Sequence, residues 1–287
     1  MTERISQTIL FLALLLATSA ASAEDTVCDV PARPLEIPDI EADVIFFGEL
    51  HGNKETPEVF LAAICQYLEL QEGALRVALE FPTNMQPSLD KFMASDGDSE
   101  AVQEFLSHPS WQRGLNLPDG RTSVAMLNLY KALRELRASN RRLVSITPIV
   151  GYWTDRQVRY FGTSSDAIMA ANITHLSQES DDDVVLVLVG NFHARLAPQE
   201  SMSYLTPAAS LVEGDVASVL VLPESGESWN CQTACQSWPV GEVTDLSAWE
   251  NRIRAEGSYD YLLPIGRVNS SPPAVGVTNG APDENHR

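Results

Sequence analysis

The sequence predicts an α/β fold with a central, mainly parallel sheet and helices on both faces, and three observations predict it. Short apolar runs rich in β-branched residues alternate with longer segments whose apolar positions recur three and four apart. The runs are apolar throughout, as strands buried on both faces read. Each is separated from the next by a helical pattern, the connection that parallel neighbours require. In such folds ligands bind beyond the carboxyl ends of the strands, so the residues just after each run carry the functional information.

The first element is an address. Arg4 precedes the apolar run Ile9 to Ala17, and Ala21-Ser22-Ala23 matches a cleavage site, so residues 1–23 read as a signal peptide. The run is too short for a membrane span of about 20 residues. Export to the periplasm or the medium is expected, with residues 24–267 forming one domain and 268–287 a disordered, Ser/Pro/Gly/Asn-rich tail.

Within that domain, Asp43 to Phe47 is the first strand, ending at Gly48. Thr56-Pro57 reads as an N-cap followed by proline at the first helical position, and Phe60, Leu61, Ile64 and Leu68 then share one face. Leu75 to Phe81 is the second strand, stopped by Pro82. Pro87, Pro109 and Pro118 break Met85 to Asp119 into short helices and loop. Ser123 to Ser139 is a strong helix, and Leu143 to Ile146 the third strand. Asp166 caps a further helix, and Val184 to Val189 is the most apolar strand. Ser218 to Leu222 and Tyr259 to Leu263 complete the strands.

Of 287 residues, 39 are acidic and 19 basic, a formal net charge of −20. A nucleic-acid binder needs Lys/Arg stripes for phosphate, which this balance excludes. It also disfavours docking on anionic lipid. A small-molecule or amphipathic substrate is the partner that remains. Four cysteines allow three pairings. The close spacing of Cys231 and Cys235 favours a bridge between them, which leaves Cys28 to pair with Cys65; an oxidising compartment permits both.

Three strand ends carry ionisable residues. The first continues as Gly48-Glu49-Leu50-His51-Gly52, the second as Glu80-Phe81-Pro82, and the fourth as Gly190-Asn191-Phe192-His193-Ala194. Two strands therefore run into the same G-x-x-H pattern, with glycine expected to let the chain leave the sheet through unusual dihedrals. The chain has five histidines, and His108, His175 and His286 lie away from strand ends. Glu80 emerges partly desolvated and needs a partner, for which a histidine is suited. A carboxylate orients an imidazole and raises its basicity, which serves general acid/base chemistry. Glu55 either contacts substrate or complements the helix dipole. No G-x-S-x-G, phosphate-binding G-x-x-x-x-G-K-[ST] or H-E-x-x-H motif occurs, which argues against a serine hydrolase or nucleotide-driven enzyme.

The pieces GELHGNKETP, LEFP, DAIMAANI and LVGNFHAR resemble the superfamily of erythromycin esterases, ChaN-like haem-binding proteins and Tiki/TraB proteases, from about Asp43 to Leu222. The resemblance implies a ChaN/erythromycin-esterase-like fold and a hydrolase acting on an ester or amide. It implies that His51 is the base that activates water, that Glu49 and Glu80 position it, and that His193 closes the site. Glu55, Arg121, Asn191 and Arg195 are the candidate substrate contacts. The Tiki-like reading turns His51, His193 and Glu80 into ligands of a divalent metal. The ChaN-like alternative is a haem or iron carrier without catalysis, with Tyr152 and Trp153 lining the slot. Relatives open the helix before the fourth strand with Arg-Asp, where this chain has Ser165-Asp166; Arg121 or Arg195 is then expected to supply the missing guanidinium.

Overall fold

In a computed structural model describing residues 27–28, 37–70, 72–112, 120–151, 165–180, 182–200 and 205–276, the apolar runs become strands. The expected signal peptide, Tyr152 and Trp153 lie outside the described residues. The chain opens with β1 (Val44–Glu49), α1 (Glu55–Leu70) and β2 (Leu75–Pro82). A 3-10 turn leads into the short helices α2 (Gln86–Met93), α3 (Ser99–Leu106) and α4 (Pro109–Gln112). Then come α5 (Val124–Ser139), β3 (Leu143–Val150), α6 (Ser165–Ser177) and β4 (Val184–Gly190). β5 (Val216–Leu222) is followed by a hairpin of β6 (Ser225–Cys231) and β7 (Cys235–Pro239). α7 (Leu246–Glu256), β8 (Tyr261–Pro264) and β9 (Arg267–Val268) end the described fold.

The central sheet has six parallel strands in the order β3-β2-β4-β1-β5-β8. Strand alternation sends successive side chains to opposite faces. Ile45, Phe47, Val77, Leu79 and Leu186 join one buried cluster, which packs against α1, α2 and α5. Val44, Phe46, Ala78 and Val187 join the other, against Met169 and Ile173 of α6 and Ile253 of α7. Helices thus cover both faces, and the all-apolar runs follow from that. Phe46 and Phe47 are fully buried on opposite faces, each contributing roughly 1.5–3 kcal/mol. The hairpin β6-β7 with β9 forms a second, three-stranded sheet.

Three expectations change. Asn53, not Thr56, caps α1: its side-chain oxygen accepts the Thr56 N–H at 2.8 Å, and the helix starts at Glu55, two residues before Pro57. Asp166 sits inside the first turn of α6, and its carboxylate serves other partners, described below. Val268 to Gly276, the described part of the stretch that composition reads as disordered tail, is ordered. β9 pairs with β6, Ser270 bridges Asn53, and Pro273 bridges Ser123. Backbone pairing to distant segments supplies what its few apolar side chains do not. The disulfides are Cys28–Cys65 and Cys231–Cys235, as expected, the first tying the N-terminal arm to α1. Among the described residues no helix is long and apolar enough to cross a membrane.

Candidate active site

The parallel register brings the two G-x-x-H motifs together. Glu49 lies opposite Gly190, and the Asn191 N–H donates to the Glu49 carbonyl at 2.8 Å. On the other side of β4, Leu79 faces Leu188, so Glu80 comes level with the same strand end. β1, β4 and β2 therefore deliver His51, His193 and Glu80 to one place.

Glu80 is the centre of that place, and only 6% exposed. Its carboxylate accepts the Gly190 N–H at 2.6 Å and the Arg121 guanidinium at 2.7 Å. It also faces Nε2 of both imidazoles, at 3.4 Å for His51 and 3.7 Å for His193. Each ring is held from behind by its own carboxylate. His51 Nδ1 donates to Glu49 at 2.9 Å, and His193 Nδ1 donates to Asp166 at 2.6 Å. Asp166 in turn accepts the Ala208 N–H at 3.0 Å, which fixes its orientation. The imidazoles are 20% and 23% exposed, so they form the solvent-facing layer above buried carboxylates.

The glycines of the motifs act through space, not through dihedrals. Positive φ angles occur at other glycines, but at neither Gly48 nor Gly190. A Cβ on Gly190 would stand 2.9 Å from His51 Nε2 and 3.4 Å from the Glu80 carboxylate. The cluster closes only because that atom is missing. Gly52, just after His51, does need its freedom: it has φ +85°, and its carbonyl accepts the N–H groups of Trp229 at 2.7 Å and Ser271 at 2.8 Å.

Burial opposes a charge on His51, but the flanking carboxylates of Glu49 and Glu80 outweigh it and raise its pKa from 6.5 to about 10. Burial likewise opposes protonation of His193, and Asp166 and Glu80 overcome it, so its pKa is also raised. For Glu80, burial would favour the neutral acid. The charges of His51, Arg121 and His193 win, holding the carboxyl well below the usual carboxylate range. At neutral pH His51 is therefore protonated and Glu80 ionised.

Of the residues that the sequence singles out, the structure gathers His51, Glu49, Glu80, His193 and Arg121. Arg121, one of the two arginines expected to compensate for Ser165-Asp166, pairs with Glu80 at 2.7 Å. Glu55 and Arg195 are turned elsewhere. Glu55 accepts the backbone and side-chain N–H groups of Asn269 at 2.9 and 2.7 Å, anchoring the C-terminal stretch. Arg195 is buried, donates to the Ala197 carbonyl and to Glu256, and lies over the Tyr259 ring. Asn191 is exposed, and its carbonyl accepts the Tyr259 hydroxyl. Asp166 is the residue that pattern reading took for a cap alone; the Arg-Asp position of the relatives is the signal that marks it.

The donor set does not fit a resident metal ion. All four imidazole nitrogens face carboxylates, and the cation on Glu80 is the guanidinium of Arg121. Among the described residues no group of three His, Cys, Asp or Glu side chains is disposed to hold a metal ion.

No protein-family model and no curated relative matches the sequence. Solved structures share its fold. A succinoglycan biosynthesis protein superposes with a TM-score of 0.53 at 11% identity, covering 80% of this chain and 89% of its own. A Bacillus cereus protein gives 0.53 at 12%, covering 81% and 90%. A mutant erythromycin esterase in its open conformation gives 0.51 at 11%, covering 75% and 80%. The likeness is one of fold, the α/β architecture that the sequence resemblance implies.

Proposed function

We propose that the protein is a hydrolase that activates water to cleave an ester or amide, working outside the cytoplasm. The observation that carries this reading is the shared Glu80: two imidazoles, each braced by its own carboxylate, converge on one buried acid beside an arginine. Such braced imidazoles are strong bases held in one tautomer. Neutral His51 takes a proton from water on Nε2 while Glu49 stabilises the imidazolium that forms. The water oxygen attacks the carbonyl carbon, and Arg121 faces the negative charge that develops on the carbonyl oxygen. Protonated His193 donates to the leaving oxygen or nitrogen as the tetrahedral intermediate collapses. The fold likeness to an esterase supports the same chemistry, and the two disulfides support an oxidising location. A haem-carrier role has less support, because each imidazole would first have to leave a carboxylate.

The test is kinetic. His51→Ala should lower turnover of a responsive ester by roughly 10²- to 10⁴-fold, with the circular dichroism unchanged. Because only neutral His51 accepts a proton, kcat/KM of the native protein should rise with pH through the neutral range towards pH 10. Normal turnover by His51→Ala, or a rate independent of pH there, refutes the assignment.

A further inference from the structure

Next to the histidine cluster the protein has a cleft that the proposed chemistry leaves unused. It lies over the carboxyl end of β5, one strand beyond β1 in the sheet, and encloses about 420 Å³. Leu220, on its floor, pairs in register with Gly48, three residues before His51. Leu50 and Phe192 also line it, and each directly adjoins a site histidine. The opposite wall is Val243 with Trp249 and Ile253 of α7. Two of its lining residues thus neighbour site histidines in the chain, and its size falls within the roughly 300–1,000 Å³ of small-molecule pockets.

Its chemistry selects an occupant. The basic groups in the lining are already committed: Glu256 accepts from Arg195 and from Arg252, both at 2.9 Å, and Arg252 lies over the Trp249 ring. Glu242, the remaining charged group of the lining, is exposed to solvent. The surfaces left to a ligand are mainly aliphatic and aromatic, with the amides of Asn191 and Gln199 as the uncharged polar side chains among them. We propose that this cleft takes the apolar acyl or aryl body of the substrate whose scissile bond lies at His51 and His193. The substrate class is then an amphipathic ester or amide with a medium-length chain or a single ring, and Val243 and Trp249 set its size. The inference rests on the hydrolase reading for its orientation, but not for binding.

Two measurements separate the two ideas. Calorimetric titration of octanoate into the His51→Ala protein should show one saturable site. Across p-nitrophenyl esters from acetate to octanoate, kcat/KM of the native protein should rise about fourfold per methylene, the ~0.8 kcal/mol of burying one CH2. Val243→Trp, which fills the cleft, should flatten that rise and abolish octanoate binding. Trp249→Ala, at a partly exposed position, provides the same comparison if the larger substitution does not fold. A rate independent of chain length overturns the cleft proposal and leaves the hydrolase standing. Octanoate binding without cleavage of any ester overturns the hydrolase and leaves the cleft standing. Neither binding nor cleavage overturns both.

Discussion

Raising the pH should strip the protein of stability through one imidazole. The pKa of His51 goes from 6.5 in the unfolded chain to about 10 in the fold. Because the folded value is the raised one, the contribution is complete below pH 6.5, shrinks through the window between, and is gone above pH 10. Inside the window the native state holds a proton that the unfolded chain has released. The unfolding free energy then falls by somewhat more than ~1 kcal/mol per pH unit. Across the whole window that amounts to at most about 5 kcal/mol. With a fifth of the side chain exposed, solvent screening lowers the figure, yet it stays large against the roughly 5–15 kcal/mol of a typical domain. Urea unfolding at unit pH steps, on the native protein and on His51→Gln, provides the measurement. Tyrosines and lysines titrate equally in both, so the difference between the curves isolates His51. The native protein's advantage should shrink steadily as pH rises. Parallel curves, with a difference constant in pH, would refute the reasoning and mean that Glu49 and Glu80 do not hold a proton on the ring.

Glu80→Gln keeps the shape and removes the charge, so the pKa of both His51 and His193 should fall, read from imidazole NMR titrations, with a stability loss of roughly 3–5 kcal/mol; unmoved titrations would place the charge coupling elsewhere. Replacing Cys28 and Cys65 by serine opens a sequence separation of 37 and should lower stability by roughly 3–4 kcal/mol, about twice the effect of opening the short Cys231–Cys235 loop. Urea midpoints of the two double variants decide this, and equal losses would contradict it. Gly52→Ala puts a Cβ 2.0 Å from the Trp229 carbonyl at φ +85°, so stability should drop by more than ~1 kcal/mol and turnover with it; a fully active, equally stable variant would show the hairpin contact to be dispensable.

The sheet is legible because β1, β2 and β4 are apolar runs that end in charged or polar residues, a pattern that helices do not produce. The convergence of His51, His193 and Glu80 is legible for the same reason: each stands at the end of such a run. Asp166 is not, because an acidic residue at a helix start satisfies a local rule, and its true partner lies 27 residues away across the sheet edge. Arg195 misleads in the opposite sense. Two residues past His193 it shares the strand end, but its partner Glu256 on α7 draws it to the other side. The order in Val268 to Gly276 comes from backbone pairing with segments remote in sequence, which composition does not encode.

The carbonyl of Gly52 has a consequence for the order in which the site comes into being. Its two donors, on Trp229 and Ser271, and the Asn269 clasp on Glu55 at a separation of 214 residues, all belong to late portions of the chain. A nascent polypeptide made as far as His193 holds every acid and base of the cluster, yet leaves the loop bearing His51 unfastened. Closing such distant contacts is the slow, entropically costly part of folding. The site is therefore fastened in full only when Asn269 and Ser271 are laid down across the beginning of the chain, so a half-made molecule carries the residues of the site without their final hold.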